Sequence, residues 1–205
     1  MVMRNIIRKI LIAGLVLGAG NMANAKEGPK TLMGASAQAL ADTCAGCHGT
    51  DGTSGGPATP TIGGLSKAYL VDLMNGFKSG DIPSTIMGRI AKGYNEEEIN
   101  KLATYFAAQK FVPAKQKFDA EKAAKGAKLH ASFCERCHSD GGSFIEDDTG
   151  RLSGQWTPYL KSTLADFLAG RRNMTRKMRK RLQKLHAKGG DAAIAELEAY
   201  YASQQ

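Results

Sequence analysis

The apolar positions of the chain fall into short helical stripes separated by stretches rich in glycine, proline, serine and threonine. "SAQALADTCAGCH" (36–48) spaces apolar residues at helical intervals up to a pair of cysteines. "SKAYLVDLMNGF" (66–77) opens on Ser66, a good N-cap, and puts Tyr69, Leu70, Leu73 and Phe77 on one face. "NEEEINKLATYFAAQ" (95–109) starts at Asn95 with three glutamates in its first turn, where they favour the helix dipole. Its Ile99, Leu102, Ala103 and Phe106 make one stripe. "TPYLKSTLADFLAG" (157–170) and "DAAIAELEAYYASQ" (191–204) repeat the scheme, opened by Thr157-Pro158 and by Asp191. The segments between, "GTDGTSGGPATPTIGG" (49–64) and "SDGGSFIEDDTGRLSG" (139–154), read as loops. Long β-branched runs are missing, so the expected class is all-α with no sheet.

The stripes repeat. An offset of 90 residues lays Tyr69-Leu70 on Tyr159-Leu160, Phe77 on Phe167 and Gly80 on Gly170. Near each end the register slips by about five residues, so "INKLATYFAAQ" (99–109) answers "IAELEAYYASQ" (194–204). Two tandem domains account for this better than one. Val112-Pro113 ends the helix before it, and the charged stretch that follows is a linker or the start of the next helix. The expected boundaries are 26–112 and 113–205.

The first 25 residues stand outside this plan. They have Arg4, Arg8 and Lys9 with no acid, then an apolar run of ten (11–20), then Ala23-Asn24-Ala25. That order reads as a secretory signal cut after Ala25, with a core too short to span a membrane as an ordinary helix. Three of the 28 basic residues and none of the 19 acids lie there, leaving a formal +6 on 26–205. A basic exported chain suits an anionic membrane or an acidic protein better than nucleic acid. No later segment resembles a membrane span.

All four cysteines sit in two copies of one pattern, Cys44-Ala45-Gly46-Cys47-His48 and Cys134-Glu135-Arg136-Cys137-His138. C-x-x-C-H is the attachment pattern for c-type haem. Two thiols add to the two vinyl groups of one porphyrin, and the adjacent histidine supplies the proximal nitrogen. Redox-active or structural C-x-x-C disulfides and a zinc site are the rivals. Two copies that use every cysteine and half of the four histidines make a chance pattern a poor account, and zinc would leave the repeat unexplained. Two covalent haems would also supply apolar mass that halves of about 80 residues lack.

Iron held by His48 needs a ligand on its other face, and methionine suits a carrier because it raises the potential and blocks substrate. Met87, in the loop-rich "SGDIPSTIMGRIAKGY" (79–94), is the first-half candidate; core packing is its bland alternative. In the second half the offset favours Met178 and leaves Met174 as the alternative. Met178 has Leu182 and Leu185 four and seven residues on, as Met87 has Ala91 and Tyr94. His130, read on the same helix as His138, and His186, at the end of a basic helix, are poorer ligands. The carbonyl near Pro60 should hold the other ring nitrogen of His48, and that of Gly150 should serve His138 equally.

The basic run 171–188 has nine Lys or Arg and no acid. It is either a solvated face that offsets haem propionates or a docking surface for an acidic partner.

Two C-x-x-C-H domains with "GRLSGQWTPYL" (150–160) after the second resemble the cytochrome c4 class. "GFKSGDIPSTIMGRIAKGY" (76–94), "PAKQKFD" (113–119), "GAKLHASFCERCH" (126–138) and "YASQQ" (201–205) resemble dihaem cytochrome subunits of flavocytochrome c sulfide dehydrogenases. The resemblance implies two tandem class I cytochrome c domains. It implies a periplasmic heterodimer or larger assembly in which a separate flavoprotein holds FAD and oxidises sulfide. This chain would accept the electrons and pass them to a soluble acceptor such as a small cytochrome c. The absence of a G-x-G-x-x-G motif after a strand agrees with FAD sitting on the partner only. No base or nucleophile constellation remains for catalysis by this chain. The alternative is a free-standing cytochrome c4-like carrier to a terminal oxidase. A haem enzyme such as a dihaem peroxidase is a further rival, needing an open sixth position.

Overall fold

A computed structural model describes residues 34–205, which form one compact unit. The expected signal segment 1–25 lies outside the described residues. Among those described, the elements are helices and turns, with a lone bridge between Glu146 and Thr149 and no strand. Among the described residues no helix is long and apolar enough to cross a membrane.

The first half is built on Ala37–Asp42, Ala45–His48, Lys67–Ser79, Met87–Ile90 and Glu96–Ala107. Ser36 caps the first of these by accepting from the Ala39 N–H, and Ser66 caps the third by accepting from Tyr69 N–H. Asn95 makes a full capping box: its side chain accepts from Glu98 N–H while the Glu98 carboxylate accepts from Asn95 N–H, each at 2.9 Å. The stripe on Glu96–Ala107 is buried as its spacing required, and this helix packs against both Ala37–Asp42 and Lys67–Ser79. On Lys67–Ser79 only Leu70 is buried; Tyr69, Leu73 and Phe77 are half-buried along the same face.

The second half has Ala120–Phe133, Thr157–Leu168 and Arg176–Ser203. Its first and last helices cross at close quarters. A Cβ on Gly126 would stand 2.0 Å from the Glu196 carbonyl oxygen, so only glycine lets the backbones approach this far. Leu160, Leu182, Leu185, Ala193, Ile194, Leu197 and Tyr201 form the core above that crossing. Arg176–Ser203 is two helical pieces in one run, because Gly190 takes φ 56° and ψ −146°. The second piece starts at Asp191, where the sequence placed a helix start. His186 lies in the last turn of the first piece, its side chain 42% exposed and its Nε2 3.3 Å from Asp191 Oδ1.

Loops join the halves. Arg151 of the second half lies over the Phe111 ring of the first at 4.2 Å, and just beyond Phe111 the chain is tied to the second half by the Ala114 N–H, which donates to the Gly154 carbonyl at 2.7 Å. Trp156 Nε1 donates to the Ser54 carbonyl at 3.1 Å, and its indole leaves no room for a Cβ on Gly56. Tyr69 meets its repeat counterpart Tyr159 here. Burial, and then Tyr159, push the Tyr69 hydroxyl up to about 12, with Arg172 partly opposing them.

Candidate functional site

Each C-x-x-C-H segment follows a helix of its half, so the chain arrives at both sites on a rigid support. Cys44 ends the turn after Ala37–Asp42, and Cys134 caps Ala120–Phe133. All four thiols are free of disulfides. Cys44 and Cys134 are half-buried while Cys47 and Cys137 are exposed. Burial pushes the Cys44 and Cys134 thiols up; hydrogen bonds from Thr43 to Cys44 and from Tyr201 to Cys134 only partly offset it. A redox-active C-x-x-C needs the opposite, a setting that stabilises thiolate. Among the described residues no three His, Cys, Asp or Glu side chains converge as a zinc site requires.

His48 is buried, and its Nδ1 donates to the Pro60 carbonyl at 2.9 Å. A carbonyl can only accept, so the proton lies on Nδ1 and the Nε2 lone pair is left for a metal. Burial lowers the His48 pKa, which keeps the ring neutral as a ligand must be.

The second half does not copy this bond. His138 Nδ1 is buried and without a hydrogen-bond partner. The Gly150 carbonyl lies near enough to raise the pKa a little against the dominant effect of burial, but it is out of bonding geometry. The expectation that Gly150 serves as Pro60 does is therefore corrected. Gly150 packs against the Tyr69 ring of the other half, where a Cβ would stand 2.4 Å from the hydroxyl oxygen.

Met87 begins the helix Met87–Ile90, half-buried, between Ile86 and Ile90, which are 49% and 38% exposed. Ala91 and Tyr94, four and seven residues on, are buried, and so are Leu182 and Leu185 after Met178. Met174 lies before the helix, packed against the second-half core, whereas Met178 is half-buried in its first turn. His130 is not on one helix with His138, because that helix stops at Phe133. It is 1% exposed, with Nδ1 2.9 Å from the Tyr201 hydroxyl and Nε2 2.5 Å from Glu135. Both ring nitrogens are thus engaged within the protein.

These features fit haem in each half. The donor set is two unbridged thiols beside a neutral imidazole, with a half-buried thioether further along the chain. The half-buried faces of Tyr69, Leu73 and Phe77, and the exposed Ile86 and Ile90, are apolar surface that a porphyrin would cover.

Comparison with known proteins agrees. Residues 34–110 match the family model described as cytochrome c. The cytochrome c4 of Pseudomonas aeruginosa is 30% identical over 173 residues, 81% of this chain and 86% of that one.

The chain belongs to the cytochrome c family.

It is an electron-transfer protein of the two-domain, cytochrome c4-like kind, with covalently bound haem c. The cytochrome subunit of sulfide dehydrogenase from Chlorobaculum tepidum is 42% identical over 99 residues, 46% of this chain and 89% of that one. The crystal structure of reduced recombinant cytochrome c4 from Pseudomonas stutzeri superposes with a TM-score of 0.71 at 24% identity, covering 82% of this chain and 97% of that one. The fold is accordingly two tandem class I cytochrome c domains, all-α, as the repeat implied.

One group went unread in the sequence. Gln155, in the loop before Thr157–Leu168, is 2% exposed and bonds to both backbone groups of Thr61 in the other half. The string "GQWTPYL" marked the place, but nothing in it named a partner 94 residues away.

Proposed function

We propose that this chain is the electron-transfer subunit of a sulfide-oxidising flavocytochrome c. In this reading Cys44 and Cys47 hold one haem c and Cys134 and Cys137 a second. His48 and His138 are the proximal ligands, and Met87 and Met178 the sixth. The haems supply one-electron reduction and reoxidation of iron. Met87 and Met178, as ligands, would leave the metal no place for substrate, so the chain would relay electrons and leave the sulfur chemistry to its partner. Two one-electron sites match the two electrons released when an FAD-bearing partner oxidises sulfide. The acceptor beyond is a soluble protein such as a small cytochrome c, in the periplasm, reached by way of the 1–25 leader.

The observation that carries the haem assignment is the 2.9 Å bond from His48 Nδ1 to the Pro60 carbonyl, which puts the proton on Nδ1 and leaves the Nε2 lone pair for a metal. Similarity to the Chlorobaculum tepidum cytochrome subunit supports sulfide as the donor. For the sixth ligand of the second half, the buried pair Leu182 and Leu185 favours Met178 over Met174, whose corresponding residues are half-buried Met178 and exposed Arg181.

A free-standing cytochrome c4-like carrier to a terminal oxidase is the second reading. It is favoured by the broader span of the Pseudomonas aeruginosa match, 81% of the chain against 46%. Purification from the native periplasm decides between them. An FAD-containing chain in constant ratio, reduced by sulfide and passing electrons on, supports the first; a lone red protein that sulfide does not reduce refutes it. A mass short of two added haems overturns both.

A further inference from the structure

We infer that Gln155 of the second half is a positioning residue for the proximal histidine of the first, acting through the Pro60–Thr61 peptide. The inference rests on the reading of His48 as an iron ligand.

Gln155 Oε1 accepts from Thr61 N–H at 3.1 Å, and Gln155 Nε2 donates to the Thr61 carbonyl at 2.7 Å. Both residues are buried, Thr61 completely. The Thr61 N–H belongs to the same rigid peptide plane as the Pro60 carbonyl, which accepts from His48 Nδ1 at 2.9 Å. Gln155 therefore grips one end of a plate whose other end holds the histidine. The plate cannot turn toward or away from His48 without breaking the bond to Gln155. A peptide that donates at its N–H is also a better acceptor at its C=O, so the two bonds strengthen each other.

The grip is itself anchored. The Gln155 carbonyl accepts from Gln116 Nε2 at 2.7 Å, and Gln116 Oε1 accepts from Thr157 N–H at 3.0 Å. Gln155 is thus held by the linker and by the start of Thr157–Leu168, and transmits the position of the second half to the first.

The relation runs one way. At the repeat offset the counterpart of Gln155 is Leu65, a buried apolar residue with no amide to offer. His138 correspondingly lacks a partner at Nδ1. A proximal imidazole whose N–H is well held is a more basic ligand and favours ferric iron. Loss of the grip should raise the potential of the first-half haem and leave the other alone.

The test uses the full dihaem protein. Gln155→Leu copies the first-half residue and removes both bonds. The expected shift favours reduction of one haem by about threefold, or about 28 mV at about 59 mV per decade. Exchange of the His48 Nδ1–H with deuterated water should accelerate at least threefold. Trp156→Phe is the control, since it removes the Trp156–Ser54 bond across the same interface and leaves in place the Thr61 backbone groups that Gln155 holds, Ser54 N–H reaching Thr61 only at its side-chain oxygen. Unchanged potential and exchange in Gln155→Leu, or equal changes in Trp156→Phe, overturn the inference while the haem assignment stands. Should Gln155→Leu not fold, the unmutated protein still decides. The Thr61 amide and the His48 Nδ1–H should share one opening equilibrium in hydrogen exchange, and independent exchange would overturn the coupling. A first half without haem by mass removes the proposed function and this inference together.

Discussion

Gly126→Ala should loosen the second half without touching any haem ligand. The helix Ala120–Phe133 crosses the 191–203 piece with Gly126 against the backbone of Glu196. A Cβ there would lie 2.0 Å from the Glu196 oxygen, 2.6 Å from its carbonyl carbon and 2.8 Å from Tyr200 Cβ. Reaching ordinary contact near 3.5 Å requires the helices to part by roughly 1.5 Å. The obstacle is backbone in a helix and cannot swing aside, so the cost belongs at the upper end of the usual range for overpacking, about 3 kcal/mol. Alanine returns about 1 kcal/mol through its better helix propensity. The net loss is about 2 kcal/mol, which for a unit of this size lowers Tm by roughly 4–8 °C.

The parting would reach further than the melting point. Gly126 and His130 lie one turn apart, and His130 meets Tyr201 across the same crossing at 2.9 Å. Thermal unfolding followed by helical circular dichroism and by haem absorption measures the effect. Gly93→Ala is the reference, because a Cβ on residue 93 meets nothing within 4 Å. A Gly126→Ala protein that melts with or above the wild type would refute the claim that this crossing demands glycine.

Other perturbations test single elements. Asn95→Ala removes the side-chain half of a complete capping box and should cost about 1 kcal/mol, read as a lower urea midpoint at unchanged slope. Burial raises the Glu198 carboxyl, with Lys161 opposing it only in part, and Glu198 Oε1 has no hydrogen-bond partner. The folded state then keeps this proton to higher pH than the unfolded chain. The stability it contributes is full below the ordinary glutamate value of 4.5 and lost as pH rises through the higher folded value. Glu198→Gln should therefore be more stable than wild type at pH 7, with the gap closing by about pH 4, as urea midpoints at the two pH values would show. Arg176, Lys177, Arg179, Lys180 and Lys184 are exposed and make no ion pair among the described residues. If the proposed flavoprotein partner docks here, reversing Lys177, Lys180 and Lys184 should slow reduction by it at low salt and not at high salt; rates that do not change would remove the docking role.

What the sequence made legible was local or periodic. Ser66 and Asn95 cap the helices they precede because their preference is a matter of three adjacent residues. Ile99, Leu102, Ala103 and Phe106 are buried because a 3.6-residue period leaves no other face for the core. Pro60 could be named as the acceptor for His48 through its place in the loop. The errors came where distant segments decide. Gly150 looks equivalent to Pro60 under the offset, yet it packs against the Tyr69 ring of the other half and His138 Nδ1 has no hydrogen-bond partner. His130 looked like part of a longer helix; in the structure it is buried between Tyr201 and Glu135, on a helix that ends before Cys134. Gln155 carries no periodic signal at all, since a single polar residue in a loop acquires meaning only from what it touches.

The two kinds of contact divide the labour of the fold. Within each half the bonds are apolar and collective, so no one side chain sets the position of another to a fraction of an ångström. Between the halves, directional contacts stand beside the packing of the Tyr69 and Trp156 rings: Gln155 on Thr61, Trp156 on Ser54, Arg151 over Phe111. Directional bonds are the ones able to fix an acceptor against a ring nitrogen, because their energy falls steeply with angle. A repeat that began as two similar halves can therefore acquire unlike sites without changing either C-x-x-C-H segment. On the inference above, glutamine at position 155 against leucine at position 65 steadies the acceptor of one histidine and offers nothing to the other. The difference between the two sites is then tuned by the pairing of the halves.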